Sequence, residues 1–296
     1  MNQELGKKLL SILKEEQVKK GEPMKSHTTF RVGGPADYFV TPQTAEEVAK
    51  VIEACTQEKV PYYIVGNGSN LLVSDKGYEG VIIQIYKQMN QVKVEGAQIH
   101  AQAGALLSMI AKRALDAELT GFEFAAGIPG TLGGACVMNA GAYGGTISDV
   151  LLYARVITKE NGILELTPEE LELGYRTSNI EKDGYIVSSV VLKMKKGNPE
   201  EIKALIADLT ERRKSKQPLE YPSAGSTFKR PEGHFAGQLI DEAGLRGYQC
   251  GGARISVKHA GFVINTGNAT AEDVVNVITH AQEEVLKRNN IKLETE

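Results

Sequence analysis

The residues best suited to chemistry in this chain fall in three short segments. Ser226 lies in Ala224-Gly225-Ser226-Thr227-Phe228-Lys229-Arg230-Pro231, far downstream of two glycine-rich segments. The first of these is Val65-Gly66-Asn67-Gly68-Ser69-Asn70-Leu71. The second is Gly127-Ile128-Pro129-Gly130-Thr131-Leu132-Gly133-Gly134-Ala135, continuing to Asn139-Ala140-Gly141-Ala142-Tyr143-Gly144. A pyrophosphate needs several backbone N–H groups aimed at one point, and glycine permits the close approach and positive φ that such a nest requires. A dinucleotide cradle followed by a compact site motif reads as an enzyme that uses a bound redox cofactor. On its own, Ser226 in Ala-Gly-Ser-Thr reads as a turn or cap residue.

The first glycine segment follows a predicted strand, yet it is no Rossmann fingerprint. Leu71 stands where the third glycine of G-x-G-x-x-G belongs, and an apolar strand-like run follows instead of a capped helix. No glycine run carries Lys-Ser or Lys-Thr at P-loop spacing. Taken alone, Gly66 to Asn70 fits a plain loop equally well. The second segment shifts the balance, with seven glycines from Gly127 to Gly145 and almost no charge before Asp149. Surface loops are normally charged and disordered ones more polar. Uncharged Gly/Ala/Asn backbone suits packing against a flat, neutral ring system, the competing reading being a tightly packed core turn.

Stepping along the chain gives the elements that must carry these segments. Leu5, Leu9, Ile12 and Leu13 share a helical face, which predicts an opening helix ending near Gly21-Glu22-Pro23. Thr44-Ala45-Glu46-Glu47 has capping-box spacing and predicts a second helix, leading to a strand at Tyr62-Tyr63-Ile64-Val65. Strands are expected at 81–83, 92–94, 99–101, 154–157 and 186–192, with a helix from Leu106 to Leu119. Thr167-Pro168-Glu169-Glu170 and Asn198-Pro199-Glu200-Glu201 read as helix starts, the latter running through Arg213, and Thr270 starts a helix to about Asn289. The fold class is α+β, with expected domains at 1–78, 79–197 and 198–296.

Composition narrows the function class. The 296 residues are 42% hydrophobic and 24% charged, as in ordinary globular proteins. A net charge of -3 provides no basic field for nucleic acid and no polybasic membrane patch. The first residues carry no signal-peptide apolar core, and runs such as Leu71-Leu72-Val73 are far too short to span a bilayer. Cys55, Cys136 and Cys250 are few, odd in number and widely separated, which suits reduced thiols in a cytoplasmic enzyme. The five histidines lack ligand-type spacing, so no metal is expected.

Over nearly its whole length the sequence resembles the UDP-N-acetylenolpyruvoylglucosamine reductase family of flavoenzymes. The resemblance is carried by the three segments above and by His27-Thr28-Thr29-Phe30-Arg31-Val32-Gly33-Gly34-Pro35-Ala36-Asp37. Further matches are Ala236 to Asp241, Gly247 to Ala253 and Ser256 to Asn265. The likeness implies two N-terminal subdomains of the vanillyl-alcohol-oxidase type and a C-terminal α/β substrate-binding domain. It implies non-covalent FAD, although Cys136 lies in a loop that some distant relatives use as a tether. Expected cofactor contacts are Val65, Gly66, Asn67, Gly68, Ser69, Asn70, Leu71, Gly127, Ile128, Pro129, Gly130, Thr131, Gly133, Gly134, Ala135, Asn139 and Gly141. The implied reaction is NADPH-dependent reduction of UDP-N-acetylglucosamine enolpyruvate in peptidoglycan precursor synthesis, by a monomer.

The resemblance also implies roles. Ser226 matches the family's proton donor, and Arg176, in Leu173-Gly174-Tyr175-Arg176-Thr177-Ser178, matches the arginine on the enolpyruvyl carboxylate. A guanidinium fork suits a carboxylate whose charge grows in the transition state. Glu296, in Leu293-Glu294-Thr295-Glu296, matches the catalytic carboxylate, although related sequences continue past this point. Tyr175, Lys216, Lys229, Arg230, Gln238 and Tyr248 are expected substrate contacts, Lys216 near the diphosphate. His259 is open between a general base and a fixed hydrogen-bonding role. The short span from Arg176 to Glu200 places the chain with the shorter, type II branch. Other readings are a flavin oxidase or dehydrogenase of the wider superfamily, and a non-catalytic nucleotide-sugar binding module.

Overall fold

The computed structural model describes every residue from 1 to 296 except Asn161. It divides into two compact units, interleaved along the chain. The first gathers Met1–Gly21, Asp37–Asn67 and Glu79–Arg212; the second gathers Glu22–Ala36, Gly68–Tyr78 and Arg213–Glu296. The reason for the interleaving is apolar. Phe30, Val32 and Leu72 belong to the same core as the C-terminal helices, so their segments join the second unit.

In the first unit the opening helix is Gln3–Ile12, with Asn2 accepting the N–H of Leu5 at 3.0 Å and Leu5 and Leu9 buried. It ends well before the 21–23 position that turn residues suggested. Residues beyond Leu13 do not extend the apolar face. Gln17 instead takes the Lys14 N–H at 2.9 Å and donates to the Thr41 carbonyl at 3.0 Å, and Val18–Pro23 is a strand. Four strands form a sheet in the order Val18–Pro23, Pro35–Val40, Tyr78–Gln84, Tyr62–Val65, the last two parallel with Val65 opposite Gln84. The helix Ala45–Gln57 buries Val48, Val51, Ile52 and Cys55. Its cap departs from the expected reciprocal box. Thr44 accepts the Glu47 N–H, but the Glu47 carboxylate takes the N–H of Gln43, not of Thr44.

A five-stranded antiparallel sheet runs Ile163–Leu166, Leu151–Ile157, Ile186–Lys193, Gln98–Gln102, Val92–Glu95. Ala154, Val190 and Ala101 stand in register across its three central strands, all buried. The helices Leu107–Asp116 and Leu132–Val137 contribute Leu107, Ile110, Leu132 and Ala135 to the same core. Just past the strand Gln98–Gln102, the Ala105 and Ala103 carbonyls accept the N–H groups of Leu132 and Gly133 in the long glycine segment, at 2.9 and 2.8 Å.

The helix expected from Thr167-Pro168 is a single turn. Its capping bonds form, Thr167 N–H to Glu170 at 2.8 Å and Glu170 N–H to the Thr167 hydroxyl at 3.3 Å. Glu172 then turns left-handed, at φ 50°, and Leu173 closes back on the Pro168 carbonyl at 3.3 Å. The chain is thereby turned into the segment that carries Arg176.

The second unit is built on the helix Ala271–Asn289, which buries Val274, Val277, Ala281 and Val285 along one stripe. Thr270 and Asp273 cap it reciprocally, and the Asp75 carboxylate accepts the N–H groups of Ala271 at 2.8 Å and Glu272 at 3.0 Å. A carboxylate at that end also meets the positive pole of the helix dipole. The stripe packs with Leu239 and Ile240 of the helix Ala236–Glu242, and with the sheet Gln249–Cys250, Ala253–Ile255, Val263–Asn265. The helix started by Asn198 runs Pro199–Lys216, one turn past the expected Arg213.

Candidate active site

Ser226 stands on a frame of main-chain hydrogen bonds in the second unit. The N–H of Thr227 donates to the Gly261 carbonyl at 2.8 Å, and its hydroxyl accepts the Val263 N–H at 3.0 Å. On the other side, the Glu296 N–H donates to the Thr227 carbonyl at 2.9 Å and the Lys229 N–H to the Glu294 carbonyl at 2.8 Å. Phe228 is buried between them and bridges Thr295. Residues 227–229 are therefore held between 261–263 and 294–296. Ser226 itself is exposed, and its hydroxyl has no hydrogen bond among the described residues. Gly225 before it takes φ 84° with open space where a Cβ would sit. The result is an alcohol on a fixed mount, available to a ligand.

The structure thus brings two of the three expected catalytic residues, Ser226 and Glu296, onto one frame. Glu296 is half-buried, and the Asn70 amide donates to its carbonyl oxygen at 3.3 Å. His259 takes a fixed role beneath the same frame. Its Nδ1 accepts the Gly261 N–H at 3.1 Å, which requires that nitrogen to be unprotonated. Burial pushes its pKa below the usual range, and the Arg246 and Lys216 charges push the same way.

Arg176 belongs to the first unit, in a tight turn where the Gly174 N–H meets the Thr177 carbonyl at 3.0 Å. It sits at φ 52°, uncommon for a residue with a side chain. Its guanidinium donates to the Gly141 carbonyl at 3.2 Å and lies 5.3 Å from the Tyr175 ring, which is exposed. The turn is braced by Asn139. That buried amide donates to the Gly174 carbonyl at 3.1 Å and to Ser148 at 3.3 Å, and accepts the Ser148 N–H at 3.0 Å. Ser178 adds a bond to the Val137 carbonyl at 2.7 Å. Asn139, expected among the cofactor contacts, directs its side chain to protein partners.

Within the first unit the two glycine segments meet. A Cβ on Gly66 would lie 2.1 Å from the Thr131 hydroxyl, and one on Gly133 would lie 2.9 Å from Ala103. Gly134 is different: it is exposed, and its nearest obstacle is 3.7 Å away. Among the described residues, the N–H groups of Gly66, Asn67, Thr131 and Gly134 have no acceptor. In the second unit the same holds for Gly68, Ser69, Asn70 and Leu71, and Gly68 is buried at φ 65°. Backbone donors left without a protein acceptor are open to one supplied by a ligand or by water. The first unit's donors alone fit the phosphates of a dinucleotide, and exposed Gly134 suits the approach of a flat ring. Val65 is buried at the strand end, while Gly127, Ile128, Pro129, Gly130 and Ala135 shape the approach to the helix Leu132–Val137. Cys136 is buried, and burial pushes its thiol up to about 12.

The expected substrate contacts are scattered over the surface of the second unit, apart from Tyr175. Lys216 is exposed at its helix end, Lys229 pairs with Glu294 at 3.6 Å, and Arg230 stacks 3.9 Å from the Phe235 ring. Gln238 donates to Glu242 at 2.8 Å, and Tyr248 stacks on His280 at 4.2 Å. Three residues outside the expected site hold this unit together. The Thr29 hydroxyl donates to the Ser223 carbonyl at 2.7 Å, Asn265 donates to the Phe30 carbonyl at 3.1 Å, and Asp75 caps the C-terminal helix. Thr29 lies in the His27 to Asp37 motif and Asn265 ends the Ser256 to Asn265 match, whereas Asp75 stands in no motif.

Fold and site together define a flavoprotein, an FAD-binding domain joined to a separate C-terminal domain. An FAD binding domain family model matches residues 36–167. A second, described as "UDP-N-acetylenolpyruvoylglucosamine reductase, C-terminal domain", matches residues 217–296. The chain is 52% identical to the UDP-N-acetylenolpyruvoylglucosamine reductase of Clostridium perfringens strain SM101, covering 100% of this chain and 98% of that one. It is 49% identical to that of Clostridioides difficile strain 630, covering 100% and 97%. The crystal structure of the enzyme from Thermus caldophilus matches with a TM-score of 0.81 at 38% identity, over 94% of this chain and 96% of that one. Alkyldihydroxyacetonephosphate synthase, at 19% identity and a TM-score of 0.51 over 66% of this chain and 41% of that one, shares the fold alone. The chain belongs to the UDP-N-acetylenolpyruvoylglucosamine reductase family.

Proposed function

We propose that this chain reduces the enol ether of UDP-N-acetylglucosamine enolpyruvate to UDP-N-acetylmuramate, with FAD as its non-covalent cofactor and NADPH as reductant. The reaction serves peptidoglycan precursor synthesis. We assign residues 1–78 and 79–197 to the flavin and 198–296 to the sugar nucleotide, in a cytoplasmic monomer. The observation that carries the reading is Ser226, an exposed, uncommitted hydroxyl on a rigid frame, in a chain of this family.

The hydride chemistry, from NADPH to the β-carbon of the enolpyruvyl group, is what bound FAD supplies. The chain's own residues do the rest. Unpartnered N–H groups of Gly66, Asn67, Thr131 and Gly134 in the first unit, and of residues 68–71 in the second, are the ones that would hold the flavin. Arg176 binds the enolpyruvyl carboxylate, where negative charge develops as the double bond is reduced. Ser226 Oγ–H gives its proton to the α-carbon. An alcohol is a weak acid, but an enolate carbon is basic enough to take the proton when neighbours share the charge. Glu296, as the acid, stabilises the enol form, and Lys216 meets the diphosphate.

The test is an anaerobic visible-absorbance trace of the purified protein, with NADPH added first and the enolpyruvyl sugar nucleotide second. A yellow protein that bleaches with NADPH and regains colour with the sugar nucleotide supports the reading. Recovery with oxygen alone would favour a flavin oxidase. Absence of a flavin band after reconstitution with FAD would refute the cofactor assignment.

A further inference from the structure

Arg254 lies in the central strand of the three-stranded sheet of the second unit, opposite Gln249 on one side and Ile264 on the other. Its Nε is buried and has no hydrogen-bond partner. Among the described residues the guanidinium makes no ion pair, and its carbon sits 5.7 Å from the centroid of the Tyr221 ring. Arg246 of the same unit shows what a satisfied guanidinium looks like. It grips Asp241 through two nitrogens, at 2.7 and 2.6 Å, and donates to the Val257 carbonyl at 2.7 Å. A guanidinium is never neutral in a protein, and a buried N–H donor without an acceptor is held at a cost in free energy. The Nε–H of Arg254 is therefore satisfied only when something else brings the acceptor.

The surroundings say what that acceptor is. Tyr221 belongs to the segment that follows Lys216. Lys258 fastens the segment beside the sheet, its Nζ donating to the Lys214 carbonyl at 2.7 Å and lying 3.8 Å from Glu220. A cation at Lys216, a guanidinium at Arg254 and an aromatic ring at Tyr221 thus come from one segment and the strand it packs beside. An unneutralised cation is matched by an anion rather than by a neutral carbonyl, and the planar fork of arginine suits phosphate oxygens in particular.

We propose that Arg254 is a phosphate-binding residue, its guanidinium taking an oxygen of the nucleotide diphosphate while the Tyr221 ring holds its plane. The proposal rests on the reading that this chain binds a UDP-sugar.

The experiment is a titration of the oxidised holoenzyme with UDP, and with inorganic diphosphate as competitor, in wild type, Arg254→Gln and Arg254→Lys. Losing one hydrogen bond to a charged group predicts weakening of both ligands by about 10- to 100-fold in Arg254→Gln. Flavin content and thermal midpoint should stay unchanged. Arg254→Lys keeps the charge but not the fork, and should fall between; it also answers the question should Arg254→Gln fold poorly. UDP affinity within twofold of wild type in either variant would overturn the proposal. So would a loss for UDP with none for inorganic diphosphate, which would move the contact to the base. If the wild-type protein binds no UDP, the functional reading fails as well.

Discussion

The backbone N–H of Glu296 donates to the carbonyl of Thr227 at 2.9 Å, one residue past Ser226. Main chain, not side chains, fixes the candidate acid and the candidate proton donor to each other. Their side-chain chemistry can therefore be removed without dismantling the frame. Ser226→Ala deletes a hydroxyl that has no internal hydrogen bond, so thermal stability should stay within about 0.5 kcal/mol of wild type. Flavin binding and its reduction by NADPH should persist. Transfer to the enolpyruvyl group should fall by about 10²–10⁴, the usual contribution of a general acid. Normal turnover in Ser226→Ala would end the proton-donor assignment. Glu296→Ala should likewise keep the frame and lose turnover, whereas deleting residues 294–296 should lower stability as well.

Asn139 supplies the second prediction. Its amide makes three hydrogen bonds, one to the Gly174 carbonyl of the turn bearing Arg176 and two to Ser148. Asn139→Ala leaves the Gly174 carbonyl and the Ser148 N–H without partners, a penalty of about 1–3 kcal/mol for buried groups. Calorimetry should register that loss. Steady-state kinetics should show a raised KM for the enolpyruvyl substrate, because the Arg176 turn is released. An unchanged KM beside a lowered thermal midpoint would make Asn139 purely structural.

Much of this was legible in the residues themselves. Alternation and helical periodicity gave the helix Ala45–Gln57 and the strands Tyr62–Val65 and Ile186–Lys193, because local patterning decides such elements. The glycine segments were legible because little else calls for so much uncharged glycine. What escaped was long-range. Asn265 reaches the Phe30 carbonyl across 235 positions, and Thr29 reaches Ser223 across 194. No local pattern encodes such pairs. The Thr167 turn misled for a local reason, since the capping bonds form but Glu172 turns left-handed and ends the helix.

The cysteines offer a direct chemical check. Cys55 and Cys136 are buried, and burial pushes both thiols up to about 12, while Cys250 is partly exposed. The thiolate is the reacting form, so an aromatic disulfide reagent should modify one thiol of the native protein and three after denaturation. Cys250→Ser should abolish the native signal. Fast modification of Cys136 in the native state would contradict its burial and reopen the question of a covalent flavin.

His259 carries the last prediction, on pH. Its Nδ1 must stay unprotonated to accept the Gly261 N–H, and the Gly261 carbonyl in turn receives the N–H of Thr227. Burial foremost, and the charges of Arg246 and Lys216, hold its pKa below the unfolded value of about 6.5. In the window between the folded pKa and about 6.5, the unfolded chain binds a proton that the folded chain does not. Stability therefore rises with pH through that window and is lost on acidification, with no further loss from this group below the folded pKa. His259→Gln preserves an acceptor that does not titrate. Urea unfolding at pH 7 and pH 5 should show a smaller acid loss in the variant than in wild type, and equal losses would exclude the imidazole as the cause. Because the Gly261 bond underlies the Ser226 frame, transfer activity in wild type should hold through that window and fall only as the pH drops through the folded pKa, where Nδ1 takes its proton, and the fall should be shallower in His259→Gln.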